Sequence, residues 1–173
     1  LYDVKTMGAA LDVGDTLMTP PVDKNTTFWI ERINATIKGG PADNTIGMGS
    51  PYGSFGDGLV FDVTAPVIIQ TVYVYPSGPG SVKVEILDAA DKVVAQSIPV
   101  QIQAADIGKK TAVPIALPVP IGSGYKMTAK GTSTPLYRNS TGAAYPYSIN
   151  NWVSITGNTP NLPASYYFFY DWA

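Results

Sequence analysis

The chain has 173 residues, of which 14% are charged, and its 11 cationic and 13 acidic side chains give a net charge of −2. It contains neither histidine nor cysteine, which excludes imidazole general bases, Ser-His-Asp and Cys-His triads, thiolate nucleophiles and thiolate metal sites. The acidic balance, with no basic patch to neutralise phosphates, argues against nucleic acid as a partner. No apolar run approaches the roughly 20 residues of a membrane span.

Apolar and polar residues alternate with a period of two along most of the chain, and this period predicts β-strands. In chain order, the predicted strands are residues 27–32, 58–63, 67–75, 81–86, 93–100, 111–117, 125–130, 153–156 and 166–172. Asp88 to Asp91 reads as a hairpin turn. Only residues 102–109 are suited to a short turn of helix, and that stretch is too brief to stand alone.

The strand at residues 81–86 shows the pattern most clearly. Its apolar members Val82, Val84 and Ile86 should face a core, while Lys83 and Glu85 should face water. Short strands of this kind, separated by Pro-Gly and Ser-Gly pairs, predict an all-β fold with almost no helix. We expect an antiparallel β-sandwich of jelly-roll or Ig-like type.

One stretch interrupts the strand pattern. Residues 39–58 contain seven glycines and no apolar alternation, which predicts a linker or a long loop capping one end of the sandwich. The predicted organisation is therefore a segment at residues 1–34, a Gly-rich linker or loop at 35–57, and a β-sandwich module at 58–173.

Two parts of the chain resemble modules of multidomain secreted proteins from Cytophaga-type (Bacteroidota) bacteria. Residues 1–34 contain LYD, GAAL, GDTLMTP and NTTFWIE, a series similar to the C-terminal half of their Ig-like repeat. Residues 58–173 contain GLVFDV, VYVY, LYRN, YPY, VSITG and YYFFYDW, and resemble a second β-sandwich module. In that family such modules are appendages beside catalytic or adhesive domains. The resemblance implies a secreted or cell-surface location, with the neighbouring domains of a longer chain as partners.

Aromatic residues suggest where binding takes place, since more than half of the Phe, Trp and Tyr residues follow Leu136. Flat aromatic faces cover the apolar side of a sugar ring, while amide and guanidinium groups bind its hydroxyls. We therefore predict a non-catalytic accessory module that binds polysaccharide or a cell-surface glycan. Its predicted ligand-binding residues are Tyr137, Arg138, Asn139, Tyr145, Tyr147, Asn150, Asn151 and Trp152.

A structural role for these aromatic residues is the alternative. Residues 166–172 carry large side chains on both faces, as expected for a core strand covered on both sides. If the loop rings are also buried edge-on, the chain is a structural spacer or an adhesion module with no small ligand. Exposed, coplanar rings would instead favour sugar binding.

Metal binding and catalysis have weaker signals. Asp62 and Asp171, in predicted strands, are the candidate ligands of a structural calcium ion, and loop oxygens could join them from Asp43, Asn44, Asp57, Asp88 and Asp91. Turn caps are the alternative role for such isolated Asp residues.

The chain has two glutamates, Glu31 and Glu85, and no Asp-rich cleft signature, which argues against the carboxylate pair of a glycoside hydrolase. We predict no catalytic residues.

Overall fold

A computed structural model describes residues 19–22, 24–28 and 36–173. Residues 1–34, which resemble part of an Ig-like repeat, and the predicted strand at 27–32 lie largely outside these residues. Residues 36–173 contain two 3₁₀ helices, Asn44–Ile46 and Ala104–Asp106, and thirteen strands. The strands are β1 (Gly49–Tyr52), β2 (Gly58–Val63), β3 (Val67–Val74), β4 (Gly80–Val82), β5 (Glu85–Leu87), β6 (Val93–Gln96), β7 (Val100–Ile102), β8 (Thr111–Val119), β9 (Gly122–Thr128), β10 (Leu136–Asn139), β11 (Tyr147–Ile149), β12 (Val153–Asn158) and β13 (Tyr166–Tyr167).

These strands form four antiparallel sheets. The largest has the order β11-β12-β2-β9-β5-β6, and the second has the order β1-β10-β13. Two further pairs, β3 with β8 and β4 with β7, complete the described part. The predicted all-β, antiparallel class is therefore confirmed, while its jelly-roll or Ig-like arrangement stays a prediction.

Two predicted strands are each divided by a corner. Residues 81–86 divide into β4 and β5, and residues 93–100 divide into β6 and β7. The hairpin that these residues form therefore passes from the pair β4-β7 into the six-stranded sheet, which contains β5 and β6. At this corner the Lys83 N–H donates to Thr132 Oγ1 and the Val84 N–H donates to Ser97 Oγ, each at 3.0 Å. Side-chain hydroxyls thus replace the carbonyl partners that a continuous ladder would supply.

The burial pattern across this corner follows the predicted alternation with one exception. Val82, Val84 and Ile86 are fully buried, as predicted. Glu85 was expected to face water but is only 7% exposed. The Lys83 ammonium lies 2.8 Å from Glu85 Oε1 and provides the counter-charge that a buried carboxylate needs.

The glycine-rich segment is part of the folded body rather than a linker. Strand β1 lies within it and pairs along its whole length with β10. A Cβ atom on Gly49 would collide with the Arg138 carbonyl oxygen and lie 2.7 Å from the Tyr137 ring, so this close pairing requires glycine. Further upstream, the Gly39 backbone pairs with that of Trp172. Gly49 therefore reflects close backbone approach, whereas a Cβ atom on Gly39 would meet the Ile149 side chain.

The aromatic stretch at residues 166–172 is buried as predicted, but it is not one strand. Phe168 and Asp171 have φ angles of 62° and 44°, and this left-handed backbone interrupts the regular strand after β13. Tyr170 then exchanges backbone hydrogen bonds with Tyr73 at 2.8 and 2.9 Å. Every residue from 166 to 170 is fully buried, and Trp172 is 1% exposed. Only Tyr166 and Tyr167 extend a sheet as a regular strand, β13, and the aromatic residues after them fill the core.

Candidate binding site

Strand β10 carries three of the predicted ligand-binding residues. It is the central strand of its sheet, where Tyr137 is opposite Pro51 and Arg138 is opposite both Ser50 and Tyr167. Successive side chains of a strand point to opposite faces. Tyr137 and Arg138 therefore belong to two different surfaces.

Asn139 is a structural residue rather than a ligand contact. It is fully buried, and its Nδ2 donates to the carbonyl oxygens of Asn44 at 2.9 Å and Gly47 at 2.8 Å. Its Oδ1 accepts the Tyr170 hydroxyl at 2.8 Å. These bonds occupy both amide hydrogens and the amide oxygen.

Tyr145 and Tyr147 are half-buried and perpendicular, with ring centroids 5.5 Å apart and an interplanar angle of 83°. Tyr145 also stacks on buried Tyr166, and its hydroxyl donates to the Ser165 carbonyl oxygen at 2.8 Å. The Tyr147 hydroxyl accepts the Ala144 N–H at 2.9 Å. Burial raises the pKa of Tyr145 well above its ordinary value. The two rings do not form the coplanar, exposed platform expected of a sugar site.

Asn150 and Asn151 form the turn between β11 and β12. Their φ angles are 48° and 59°, and the Trp152 N–H donates to the Ile149 carbonyl oxygen at 3.0 Å, as in a type I′ turn. Asparagine tolerates this left-handed backbone better than most residues, which explains the Asn-Asn pair without a ligand. The Asn151 carbonyl oxygen also accepts the Thr64 hydroxyl at 2.6 Å. Trp152 follows the turn and is half-buried.

Tyr137 lines a surface cleft of about 320 Å³. Its ring meets that of Tyr75 edge-on, with centroids 6.5 Å apart, and Ile107 is 39% exposed at the same cleft. The other lining residues are Asn44, Pro51, Pro76, Ser77 and Gly108. The walls are mainly apolar with a few polar groups, which is the usual character of a small-ligand site. Sequence patterns did not indicate Tyr75 or Ile107, because they lie far apart in the chain and only the fold brings them together.

Arg138 lies on the opposite face of β10. Its guanidinium carbon is 4.1 Å from the centroid of the Tyr52 ring and 5.3 Å from that of Tyr167. Nη1 donates to the Tyr167 hydroxyl at 2.9 Å, and Nε is buried with no hydrogen-bond acceptor among the described residues. Two aromatic rings thus hold the cation in a fixed orientation.

The two predicted metal ligands have separate partners. Asp62 Oδ1 accepts the Gly124 N–H at 2.7 Å, where the register between β2 and β9 shifts. Asp171 accepts hydrogen bonds from Lys110 at 2.6 Å and Lys38 at 3.2 Å. Burial alone would raise the pKa of Asp171, but the two lysines outweigh it and hold that pKa below its ordinary value.

The loop carboxylates have local partners, and two of the four cap turns. Asp43 accepts the Thr45 N–H at 2.8 Å, and Asp88 accepts the amides of Ala90 and Lys92 at 2.9 Å each. Asp57 accepts the Tyr52 hydroxyl at 2.8 Å. Within residues 36–173 and the short described stretches before them, no three acidic side chains cluster as a metal site would require. The bonds of Asp43 and Asp88 match the turn-cap alternative, and the calcium site stays a prediction.

Comparison with known proteins leaves the chain without a family assignment. No protein-family model matches the sequence, and no match is found among curated proteins or among solved structures. No helix in the described part of the chain has the length and apolar character needed to cross a membrane.

Proposed function

We propose that the chain is a non-catalytic accessory module of a secreted or cell-surface protein, and that it binds polysaccharide in the cleft around Tyr137. The observation that carries this proposal is the combination of Tyr137, Tyr75 and exposed Ile107 in one concave surface. The absence of histidine and cysteine from the whole sequence supports a non-catalytic role. The resemblance to modules of secreted bacterial proteins supports the location.

The chemistry of the cleft suits a sugar. The half-buried Tyr137 ring and the neighbouring Pro51 provide apolar surface for the C–H face of a pyranose ring. Asn44 and Ser77 are polar residues of the lining, and the Ser77 hydroxyl, which donates to the Pro135 carbonyl oxygen at 3.2 Å, can still accept a hydrogen bond. A volume of about 320 Å³ is at the lower end for ligand sites, so we expect a short stretch of a polymer to occupy the cleft.

Matched isoleucine variants test this proposal. For any polysaccharide that binds the wild-type chain, Ile107→Ala should weaken that binding by about fivefold to tenfold, since the substitution removes apolar contact area from the cleft. Ile121→Ala is the control, because Ile121 is 54% exposed and is not among the residues lining the cleft. Affinity electrophoresis in gels containing plant, algal and microbial polysaccharides would measure both variants. Equal mobility shifts, or no retention on any polymer, would contradict the proposal.

A structural spacer or adhesion module with no small ligand is the second candidate. It is favoured by Tyr145 and Tyr147, whose rings meet edge-on and whose hydroxyls bind backbone groups. On this hypothesis, Tyr145→Ala and Trp152→Ala lower the free energy of unfolding and change no binding signal. Retention of the wild-type chain on a polysaccharide, reduced in Ile107→Ala, would argue against it.

A further inference from the structure

No charged side chain lines the Tyr137 cleft within the described part of the chain. Its lining residues are two tyrosines, two prolines, an isoleucine, a glycine, an asparagine and a serine. The polar groups that these residues can supply are hydroxyl, amide and backbone groups, all of which are uncharged. A ligand in the cleft therefore meets hydrogen-bonding partners but no counter-charge.

The charged residues that follow or precede the lining residues in sequence have other surroundings. Asp43 and Asp106 each accept a nearby backbone N–H at 2.8 Å. Lys110 lies 2.6 Å from Asp171 Oδ2, which provides its counter-charge. Lys109 is exposed and is not among the lining residues. Water screens an exposed ammonium group, so Lys109 offers little to an anion bound in the cleft.

Backbone hydrogen bonds hold the walls of the cleft in place. The Gly108 N–H donates to the Pro76 carbonyl oxygen and the Tyr137 N–H donates to that of Tyr75, each at 2.8 Å. Pro51, which is opposite Tyr137 in the pair of β1 with β10, has a φ angle fixed by its ring. Because the segments that carry the lining are tied together in this way, binding costs little conformational entropy and the chemistry of the lining decides which ligand fits.

From this lining we infer that the cleft selects an uncharged polysaccharide over an acidic one. The inference rests on the proposed function and names the class of polymer. A carboxylate group that leaves water for an apolar cleft loses its hydration, and only a counter-charge in the cleft could offset that loss. The hydroxyl groups of a neutral sugar can instead bond the uncharged polar groups of the lining, while its C–H face packs on the tyrosine and proline rings.

Calorimetric titration with paired polymers tests the inference. Mixed-linkage glucan, laminarin, xyloglucan and mannan are the neutral polymers, and each is compared with a derivative whose primary hydroxyls have been oxidised to carboxylates. At least one neutral polymer should bind, and its oxidised derivative should bind at least about tenfold more weakly. Raising the salt concentration from about 50 to about 500 mM should change the affinity for the neutral polymer by less than about twofold, because no charge pairing contributes to it.

Matched lysine variants locate this preference in the cleft. Ile107→Lys places an ammonium group among the lining residues, so the preference for the neutral polymer over its oxidised derivative should fall by about tenfold. Ser77→Lys is a second variant of this kind, since Ser77 is exposed and also lines the cleft. Ile121→Lys adds the same charge at an exposed position outside the lining, and its preference should stay within about twofold of wild type. Lys109→Gln should leave the affinity for the neutral polymer within about twofold of wild type. Circular dichroism spectra confirm that each variant is folded.

The results separate this inference from the proposed function. Equal affinity for a neutral polymer and its oxidised derivative, or a preference unchanged in both Ile107→Lys and Ser77→Lys, would overturn the selection of an uncharged polymer while polysaccharide binding stands. A loss of about tenfold in Lys109→Gln would do the same, because it would show that a cation contributes to binding. Binding of no polymer, neutral or oxidised, would overturn both. Binding of an uncharged proline-rich peptide in place of every polymer would also overturn both and would assign the cleft to a protein partner.

Discussion

Replacing Asn139 by alanine should strongly destabilise the fold. Asn139 is fully buried and joins three parts of the chain, because it bonds the carbonyl groups of Asn44 and Gly47 and the hydroxyl of Tyr170. Alanine can make none of these three bonds. Two backbone acceptors and one hydroxyl donor would then remain in the interior without a partner.

The size of the effect follows from these three bonds. A typical intramolecular hydrogen bond contributes about 0.5–1.5 kcal/mol, and leaving a buried partner unsatisfied costs about 1–3 kcal/mol. Some of the orphaned groups will reach water after local relaxation, so we expect a loss of about 3–5 kcal/mol in the free energy of unfolding. That is a large share of the roughly 5–15 kcal/mol that keeps a domain folded.

Urea unfolding followed by circular dichroism would measure this loss. Ser140→Ala is the matched control, because Ser140 is the exposed neighbour of Asn139 and a surface substitution usually changes stability by less than about 0.5 kcal/mol. If Asn139→Ala unfolds within about 0.5 kcal/mol of Ser140→Ala, the buried bonds do not support the fold as we have argued. Loss of ligand binding at unchanged stability would return Asn139 to the list of ligand contacts.

Three further predictions concern glycine contacts and titration. Gly49→Ala should lower the free energy of unfolding by more than about 2 kcal/mol, because its Cβ would collide with the facing backbone. Gly53→Ala has nothing within 4 Å and should be nearly neutral in the same urea experiment. Asp171→Asn should destabilise by no more than about 1 kcal/mol. Because the pKa of Asp171 is lowered, its stabilisation exists at neutral pH and is lost as the pH falls below about 3.8; thermal melts across that range would show variant and wild type converging. Burial raises the pKa values of the Tyr166 and Tyr170 hydroxyls. Their stabilisation is therefore complete below pH 10.0 and is lost as the pH rises further. Tyrosinate absorbance should increase together with unfolding, and ionisation of all tyrosines in a folded chain would contradict this.

Much of the fold could be predicted from alternation alone. The predicted strand at residues 58–63 coincides with β2, and the apolar positions Val82, Val84 and Ile86 are buried as expected. Alternation reports which side chains face the core, because it depends only on the local backbone. The corner between β4 and β5 could not be predicted in this way, since it depends on hydroxyls of Ser97 and Thr132 that are distant in sequence.

The candidate site was harder to predict because its residue types have two uses. Asn151 fits a sugar site and also fits a left-handed turn, which is where the structure places it. Asn139 fits a ligand contact as well as it fits a buried bridge between loops. Only Tyr137 of the predicted aromatic set lies on the cleft, whose other walls come from residues 44, 51, 75–77 and 107–108. The sequence indicates which residue types could bind a ligand, but only the tertiary contacts show whether each of them binds a ligand or stabilises the fold.

The burial of residues 166–172 has a consequence for how the protein is made. This stretch pairs with β10, with Tyr73 and with Gly39, so it joins segments that leave the ribosome much earlier. At typical rates of synthesis, the chain from Gly39 onward waits on the order of ten seconds for the aromatic residues that fill its core. During that interval its strand edges and apolar faces lack their final partners and are open to chaperones or to other nascent chains.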